Sequence, residues 1–183
     1  YAPTGGLPPQ TALMTQRAVF TPAYAFIPRG CFSDIVTSCL PGWTGTRLWV
    51  IARPMSGFAE TFSQYVMEVA PGGGSNSPDA ETGAEHWLFF TEGLATLTIG
   101  GTGYEMEAGS YAYIPAGTPW KILAEGKAPA RFHWLRKLYE PAPGVAVPEP
   151  IVINERDVPV RWMPDTNEHW GTTRFVEPED VRH

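Results

Sequence analysis

The side chains best suited to chemistry lie around His86, which is accompanied by Glu81 and Glu85. A site for a divalent cation needs three or four imidazole or carboxylate side chains that converge on one point, and residues two apart on a strand achieve this by sharing a face. The two glutamates are potential partners of His86, but nothing in the spacing brings Glu81 to the same point. Because one imidazole does not make a metal site, we expect no metal ion in this chain.

A second run, residues 109–120, combines chain-bending residues with a large aromatic side chain at its end. Glycine permits the positive φ of a tight turn, and the glycines and prolines of this run suit the rim of a small barrel whose strands present alternate side chains to the interior. In such a barrel, His86 and Phe90 point inward together. The sequence identifies no catalytic residue, and the side chains predicted to line an interior pocket are Tyr65, His86, Phe90 and Trp120.

Strand and turn signals alternate through most of the chain. Nineteen glycines and nineteen prolines among 183 residues are scattered between short apolar runs. This distribution is typical of a small antiparallel barrel or sandwich, in which turns recur about every ten residues, and it excludes long helices. The predicted fold is therefore all-β, with a loop at 71–83 and strands at 35–40, 46–52, 61–70, 86–91, 94–99, 103–106, 111–114, 120–123 and 130–138.

The glycine, proline and histidine positions resemble the two motifs of the cupin superfamily. In that family the first motif runs from a glycine through an H-x-H pair and a further ligand to a glycine, and the second reads G-x5-P-x-G-x2-H. Residues 109–120 keep both glycines and the proline of the second motif but end in Trp120, while His86 stands seven residues before Gly93, in the register of the downstream ligand of the first motif. The H-x-H pair is absent from residues 79–83. The resemblance implies a cupin barrel, a double-stranded β-helix of the jelly-roll type.

Four stretches, residues 62–74, 85–90, 109–117 and 176–183, resemble the N-terminal half of the (S)-ureidoglycine aminohydrolases, the bicupin enzymes of allantoin breakdown. The resemblance implies manganese-dependent release of ammonia from (S)-ureidoglycine to give (S)-ureidoglycolate, with Mn²⁺ held in the C-terminal cupin. The ligands of that metal would lie beyond His183. By this resemblance the present barrel is non-catalytic, and its partners are the second cupin domain, other subunits of a homo-oligomer and, in the full enzyme, a small ureide substrate. The alternative is a single-barrel cupin that binds a small ligand without catalysis.

The predicted organisation has three parts: an N-terminal arm at 1–30, the N-terminal cupin barrel at 31–140, and a proline-rich linker at 141–183 that begins a second cupin domain. The last assignment rests on residues 169–176, which echo residues 42–50 in a Trp, a Gly-Thr step, an Arg and a hydrophobic pair ending in Val. Repeated architectures produce such echoes, and chance similarity over so short a stretch is the alternative.

Composition and charge exclude several classes of function. The formal net charge is −6 and no stretch is rich in Lys or Arg, so neither nucleic acid nor an anionic membrane surface is an expected partner. The sequence has no apolar run of membrane-spanning length and no signal-peptide pattern, which favours a cytoplasmic location. Cys31 and Cys39 are predicted to be buried free thiols. The motifs of nucleophile-elbow hydrolases, P-loop enzymes and dinucleotide-binding proteins are missing.

Overall fold

The computed structural model describes residues 19–20, 24–27, 40–52, 61–79, 81 and 83–182. Most of the predicted N-terminal arm, nearly all of the predicted strand at 35–40 and both cysteines lie outside these residues. The described residues contain one 3₁₀ turn, Glu155–Asp157, and thirteen strands. In chain order the strands are β1 (Val19–Phe20), β2 (Ala25–Phe26), β3 (Trp43–Ala52), β4 (Phe62–Ser75), β5 (Ala84–Glu92), β6 (Leu94–Ile99), β7 (Thr102–Met106), β8 (Ser110–Ile114), β9 (Trp120–Glu125), β10 (Ala130–Leu138), β11 (Ile151–Asn154), β12 (Arg161–Trp162) and β13 (Gly171–Thr172).

Nine of the described strands form one antiparallel sheet that curls into a nearly closed barrel. Its order is β11-β8-β5-β10-β4-β9-β6-β7, and β3 pairs with the free side of β4. Strand β4 joins the two halves, because its first part pairs with β10 while Gly74 and Ser75 pair with β9. A Cβ on Gly74 would lie 2.1 Å from the carbonyl oxygen of Ile122, and its φ is 145°. Only glycine therefore lets β4 approach β9 closely enough to turn this corner.

The barrel interior is filled by alternate side chains of these strands. His86, Leu88 and Phe90 of β5 are all buried, which confirms the predicted inward direction of this set. Phe90 stacks on Phe132 of β10 with ring centroids 4.8 Å apart. The apolar core also includes Leu48, Met67, Val69, Leu97, Ile99, Met106, Ile114, Ile122, Ala124 and Trp134.

The strands between 94 and 138 lie where the sequence predicts them, within one or two residues at each end. The predicted loop at 71–83 is partly wrong, because its first five residues belong to strand β4. Strand β4 continues to Ser75 through one proline and three glycines, because its end pairs with Trp43 and Thr44 of β3. Pairing with a neighbouring strand thus overrides the local turn signal. In addition, β11, which lies in the segment interpreted as a connection, adds to the barrel sheet beside β8.

The C-terminal segment after β11 crosses the outer face of the sheet. It contains the short hairpin of β12 and β13, in which Trp162 is about half exposed. Farther along, the ring of Phe175 stacks on Tyr111 of β8 with centroids 4.4 Å apart and planes 3° from parallel. This contact fixes the segment to the barrel. No helix in the described part of the chain is long and apolar enough to cross a membrane.

Candidate functional site

The mouth of the barrel is closed by aromatic rings packed around one histidine. His86 lies on β5, Trp120 begins β9 and Trp134 lies on β10, and all three side chains are buried. The His86 ring centroid is 5.2 Å from that of Trp120 and 5.9 Å from that of Trp134, and the two indoles are 5.8 Å apart. These separations are contact distances, so the three rings fill the space between them.

The imidazole of His86 is engaged by a neighbouring side chain. The Nε1–H of Trp134 donates a hydrogen bond to Nδ1 of His86 over 3.3 Å, which places the proton of the neutral imidazole on Nε2. Burial lowers the pKa of His86 from 6.5 to about 4; Asp79 opposes this shift, and Arg136 adds to it. His86 is therefore neutral at pH 7, and its Nδ1 already accepts the hydrogen bond from Trp134.

A buried ion pair lies beside His86. The Nε of Arg136 is 3.0 Å from Oδ2 of Asp79, whose side chain is only 7% exposed, and that oxygen is 4.0 Å from Nδ1 of His86. Arg136 also forms an ion pair with the more exposed Glu81. Arg136 is the cross-strand neighbour of His86 on β10, so its ion pair with Asp79 lies directly beside the imidazole.

A cavity of about 210 Å³ opens above these side chains at the rim of the barrel. It brings together His86 and Trp120, two of the four residues predicted to line a pocket. Tyr65 does not line it; this half-buried residue packs on Trp134 with ring centroids 5.4 Å apart. Phe90 lies deeper, in the closed core. The cavity is lined by Asn76, Ser77, Pro78, Asp79, Glu81, Ala84, His86, Gly117, Thr118, Pro119 and Trp120.

Glu85, one of the two potential partners of His86, points to the opposite face of β5 from that histidine. The hydroxyl of Tyr113 on β8 donates a hydrogen bond to Oε2 of Glu85 over 2.9 Å. Burial and this carboxylate both raise the pKa of the Tyr113 hydroxyl. Strand alternation thus separates the two side chains, and Glu85 cannot join His86 around one ion.

The residues at the mouth do not fit the Mn²⁺ ion that the resemblance implies for the full enzyme. Mn²⁺ is bound mainly by several carboxylate, carbonyl and water oxygens, often with imidazole. Here His86 accepts a hydrogen bond through Nδ1, and Asp79 is neutralised by Arg136. Among the described residues no group of three or more His, Cys, Asp or Glu side chains has the geometry to hold a metal ion.

Sequence reasoning missed Asp79 and Arg136, although both lie where a signal existed. Asp79 falls in the stretch that replaces the H-x-H pair of the cupin pattern, and Arg136 is two residues after the inward-facing Trp134. Period-two alternation therefore predicts that Arg136 faces inward as well, where a cation needs a buried partner.

Residues 65–136 match the family profile described as Cupin domain. The matched stretch runs from β4 to β10 and includes both His86 and Trp120. The barrel is a cupin domain. This finding confirms the predicted fold, while the closer resemblance to (S)-ureidoglycine aminohydrolase stays a prediction.

Solved structures show the same cupin barrel. A Pseudomonas aeruginosa protein named as glyoxylate-induced is 51% identical with a TM-score of 0.84, over 100% of this chain and 66% of that chain. Protein YlbA from E. coli is 18% identical with a TM-score of 0.71, over 84% of this chain and 61% of that chain. The polyketide cyclase RemF from Streptomyces resistomycificus is 22% identical with a TM-score of 0.51, over 67% of this chain and 80% of that chain. The last two show the fold alone, and no curated protein matches the sequence.

Proposed function

We propose that this cupin domain is the N-terminal, non-catalytic barrel of a cytoplasmic bicupin (S)-ureidoglycine aminohydrolase, which converts ureidoglycine and water to ureidoglycolate and ammonia. One observation carries the proposal. The position of the histidine in the second cupin motif is occupied by Trp120, whose ring packs 5.2 Å from that of His86. An indole there replaces an imidazole ligand with apolar bulk, so the barrel interior serves packing and not metal chemistry.

The lengths of the similar structures support a second domain. This chain spans 66% of the P. aeruginosa protein and 61% of E. coli YlbA, so part of each has no counterpart in the sequence. In the proposed bicupin, residues of the second barrel would hold Mn²⁺, which would supply Lewis-acid chemistry toward the ureide. The present barrel then contributes packing to the second barrel and to other subunits.

The proposal is tested by measuring ammonia release from (S)-ureidoglycine with Mn²⁺ supplied. The 183-residue chain should show no release above the rate without protein. The product of the complete gene should release ammonia, and its His86→Ala variant should keep that activity. Turnover by the 183-residue chain, or stoichiometric Mn²⁺ uptake that His86→Ala abolishes, would place the active site in this barrel and overturn the proposal.

A second candidate function is binding of a small ligand at the barrel mouth, and the cavity of about 210 Å³ favours it. Its walls offer the Asp79 and Glu81 carboxylates and the amide of Asn76 beside an apolar floor. Calorimetric titration with small ureides and carboxylates separates the two functions. Saturable binding that is lost in Asp79→Asn supports a binding protein, whereas a plugged scaffold binds neither class.

A further inference from the structure

A groove of about 350 Å³ lies on the outer side of the barrel, over strands β6 and β9. Side chains of β9 alternate between buried and exposed positions, and the exposed members Lys121, Leu123 and Glu125 all line this groove. Trp120 of the same strand is buried and lines the cavity at the mouth instead. The groove is therefore a different cavity from the one at the mouth, with its own charged side chains.

Three successive glycines form one wall of the groove. Residues 72–74 bring bare backbone beside β9, where Gly74 pairs with Leu123. Leu123 is 48% exposed and lies between the two charged residues of the strand. Thr96 and Thr98 of β6 line the opposite wall. An apolar centre with a few polar groups around it is the composition of a small-molecule binding site.

Two opposite charges mark the ends of the groove. Lys121 and Glu125 are four residues apart on one face of β9, so their Cα atoms are about 13 Å apart. The hydroxyl of Thr96 donates a hydrogen bond to Oε1 of Glu125 over 2.6 Å, which holds the carboxylate beside the β6 wall. A ligand that fills the groove thus meets a cation at one end and an anion at the other.

Several polar groups of the groove are not engaged by the described part of the chain. The side chains of Asn76, Thr98 and Lys121 line the cavity but form no hydrogen bond or ion pair with any residue that the structure describes. Glu125 likewise has no cationic partner among those residues, although Thr96 binds it. The groove therefore offers donors, acceptors and both charges to a ligand.

We propose that this groove binds a short peptide with free termini, about three residues long, in an extended conformation along β9. The ammonium group of the peptide pairs with Glu125 and its carboxylate pairs with Lys121, so charge complementarity fixes its direction. Three extended residues span about 10 Å, which fits between the two charged side chains once each leans inward.

A peptide also matches the groups between the two charges. Its backbone N–H and C=O groups suit the free amide of Asn76 and the free hydroxyl of Thr98, and its small side chains pack on Leu123. A ligand with one charge satisfies only one end of the groove. The proposal goes beyond the proposed function, because it concerns a site outside the barrel mouth.

Titration with trialanine, followed by the amide chemical shifts of the isotope-labelled 183-residue chain, tests the proposal. Saturable shifts should be centred on β6, β9 and residues 72–76. N-acetyl-trialanine lacks the ammonium group and trialanine amide lacks the carboxylate, so each should bind about fivefold more weakly than trialanine. Acetate and ethylamine, which carry one charge each, should bind more weakly still.

Two variants assign each charge to one end of the peptide. Lys121→Gln should raise the Kd of trialanine about fivefold but leave that of trialanine amide unchanged, since the amide has no carboxylate to lose. Glu125→Gln keeps an oxygen for Thr96 and should raise the Kd of trialanine about fivefold but leave that of N-acetyl-trialanine unchanged. The controls Lys127→Gln and Glu149→Gln replace exposed charges outside the groove and should leave every Kd unchanged.

Five results would overturn the proposal. They are the absence of saturable shifts at the groove, shifts centred instead on the mouth around His86, equal affinity for trialanine and acetate, variants that weaken free and capped peptides alike, and controls that weaken binding as much as the groove variants. Circular dichroism of each variant establishes that the fold is retained. The outcome is independent of the ammonia assay, since peptide binding requires no turnover.

Discussion

The burial of His86 makes a specific contribution to the pH dependence of stability. In the unfolded chain this histidine has a pKa near 6.5, and in the folded barrel its pKa is about 4. Between these values the unfolded chain binds a proton that the folded barrel does not, so unfolding takes up a proton and stability rises with pH. The contribution is complete above about pH 6.5 and is lost as the pH falls to about 4.

The size of this contribution follows from the difference in pKa. One pKa unit corresponds to about 1.4 kcal/mol, so lowering the pH from about 7 to about 4 should remove about 3 kcal/mol of stability through His86 alone. Other groups also titrate over this pH range, so the contribution of His86 is isolated by comparison with a variant that lacks its imidazole. In His86→Gln, the loss of stability over this pH interval should be smaller than in the parent by about 3 kcal/mol.

The measurement is urea unfolding followed by tryptophan fluorescence at both pH values, for the parent, His86→Gln and the control His169→Gln. His169 lies on the exposed C-terminal hairpin, so its removal should leave the pH dependence close to that of the parent. If His86→Gln and the parent lost the same free energy of unfolding on acidification, the imidazole would be hydrated or charged in the folded state. That result would refute the account of the mouth as a closed aromatic cluster.

Three further perturbations test the packing that positions the site. Gly74→Ala places a Cβ 2.1 Å from a carbonyl oxygen of β9 and should cost at least about 2 kcal/mol, measured by urea unfolding. Arg136→Met leaves the buried Asp79 carboxylate without its counter-charge and should cost about 3 kcal/mol, and adding Asp79→Asn should recover most of that loss in the same assay. Phe175→Ala removes the stacking on Tyr111 and should speed proteolytic cleavage after β11 while the barrel core survives, as intact-mass measurement of the fragments would show. An unchanged digestion pattern would mean that other contacts hold the C-terminal segment.

Much of the barrel was predictable because it depends on local patterns. The inward direction of His86, Leu88 and Phe90 on β5 follows from period-two alternation, and the turns at the ends of the strand follow from glycine positions. The course of β4 was less predictable, since residues 71–75 are strand only because β3 and β9 lie beside them. Pairing between strands far apart in sequence leaves no local signal.

At the candidate site, local patterns indicated where Asp79 and Arg136 lie but not that they pair with each other. The pairing of Asp79 with Arg136 joins two segments that meet only when β5 and β10 align in register. For Phe90, the sequence pattern gives the direction of the side chain but not its depth in the barrel. Alternation predicts correctly that this ring faces inward, but only the stacking on Phe132 shows that it belongs to the closed core and not to the cavity.

The interlocking of Trp120, Arg136 and Asp79 has an evolutionary consequence. A histidine at 120 alone would leave a void beside His86, and Arg136 would keep its ion pair with Asp79. Removing Arg136 alone would leave the buried Asp79 carboxylate without its counter-charge. The free energy lost would be a large part of the stability of a small domain. Any single replacement that brings a coordinating side chain into this cluster therefore passes through a less stable protein, so these three residues are expected to change together and not one at a time.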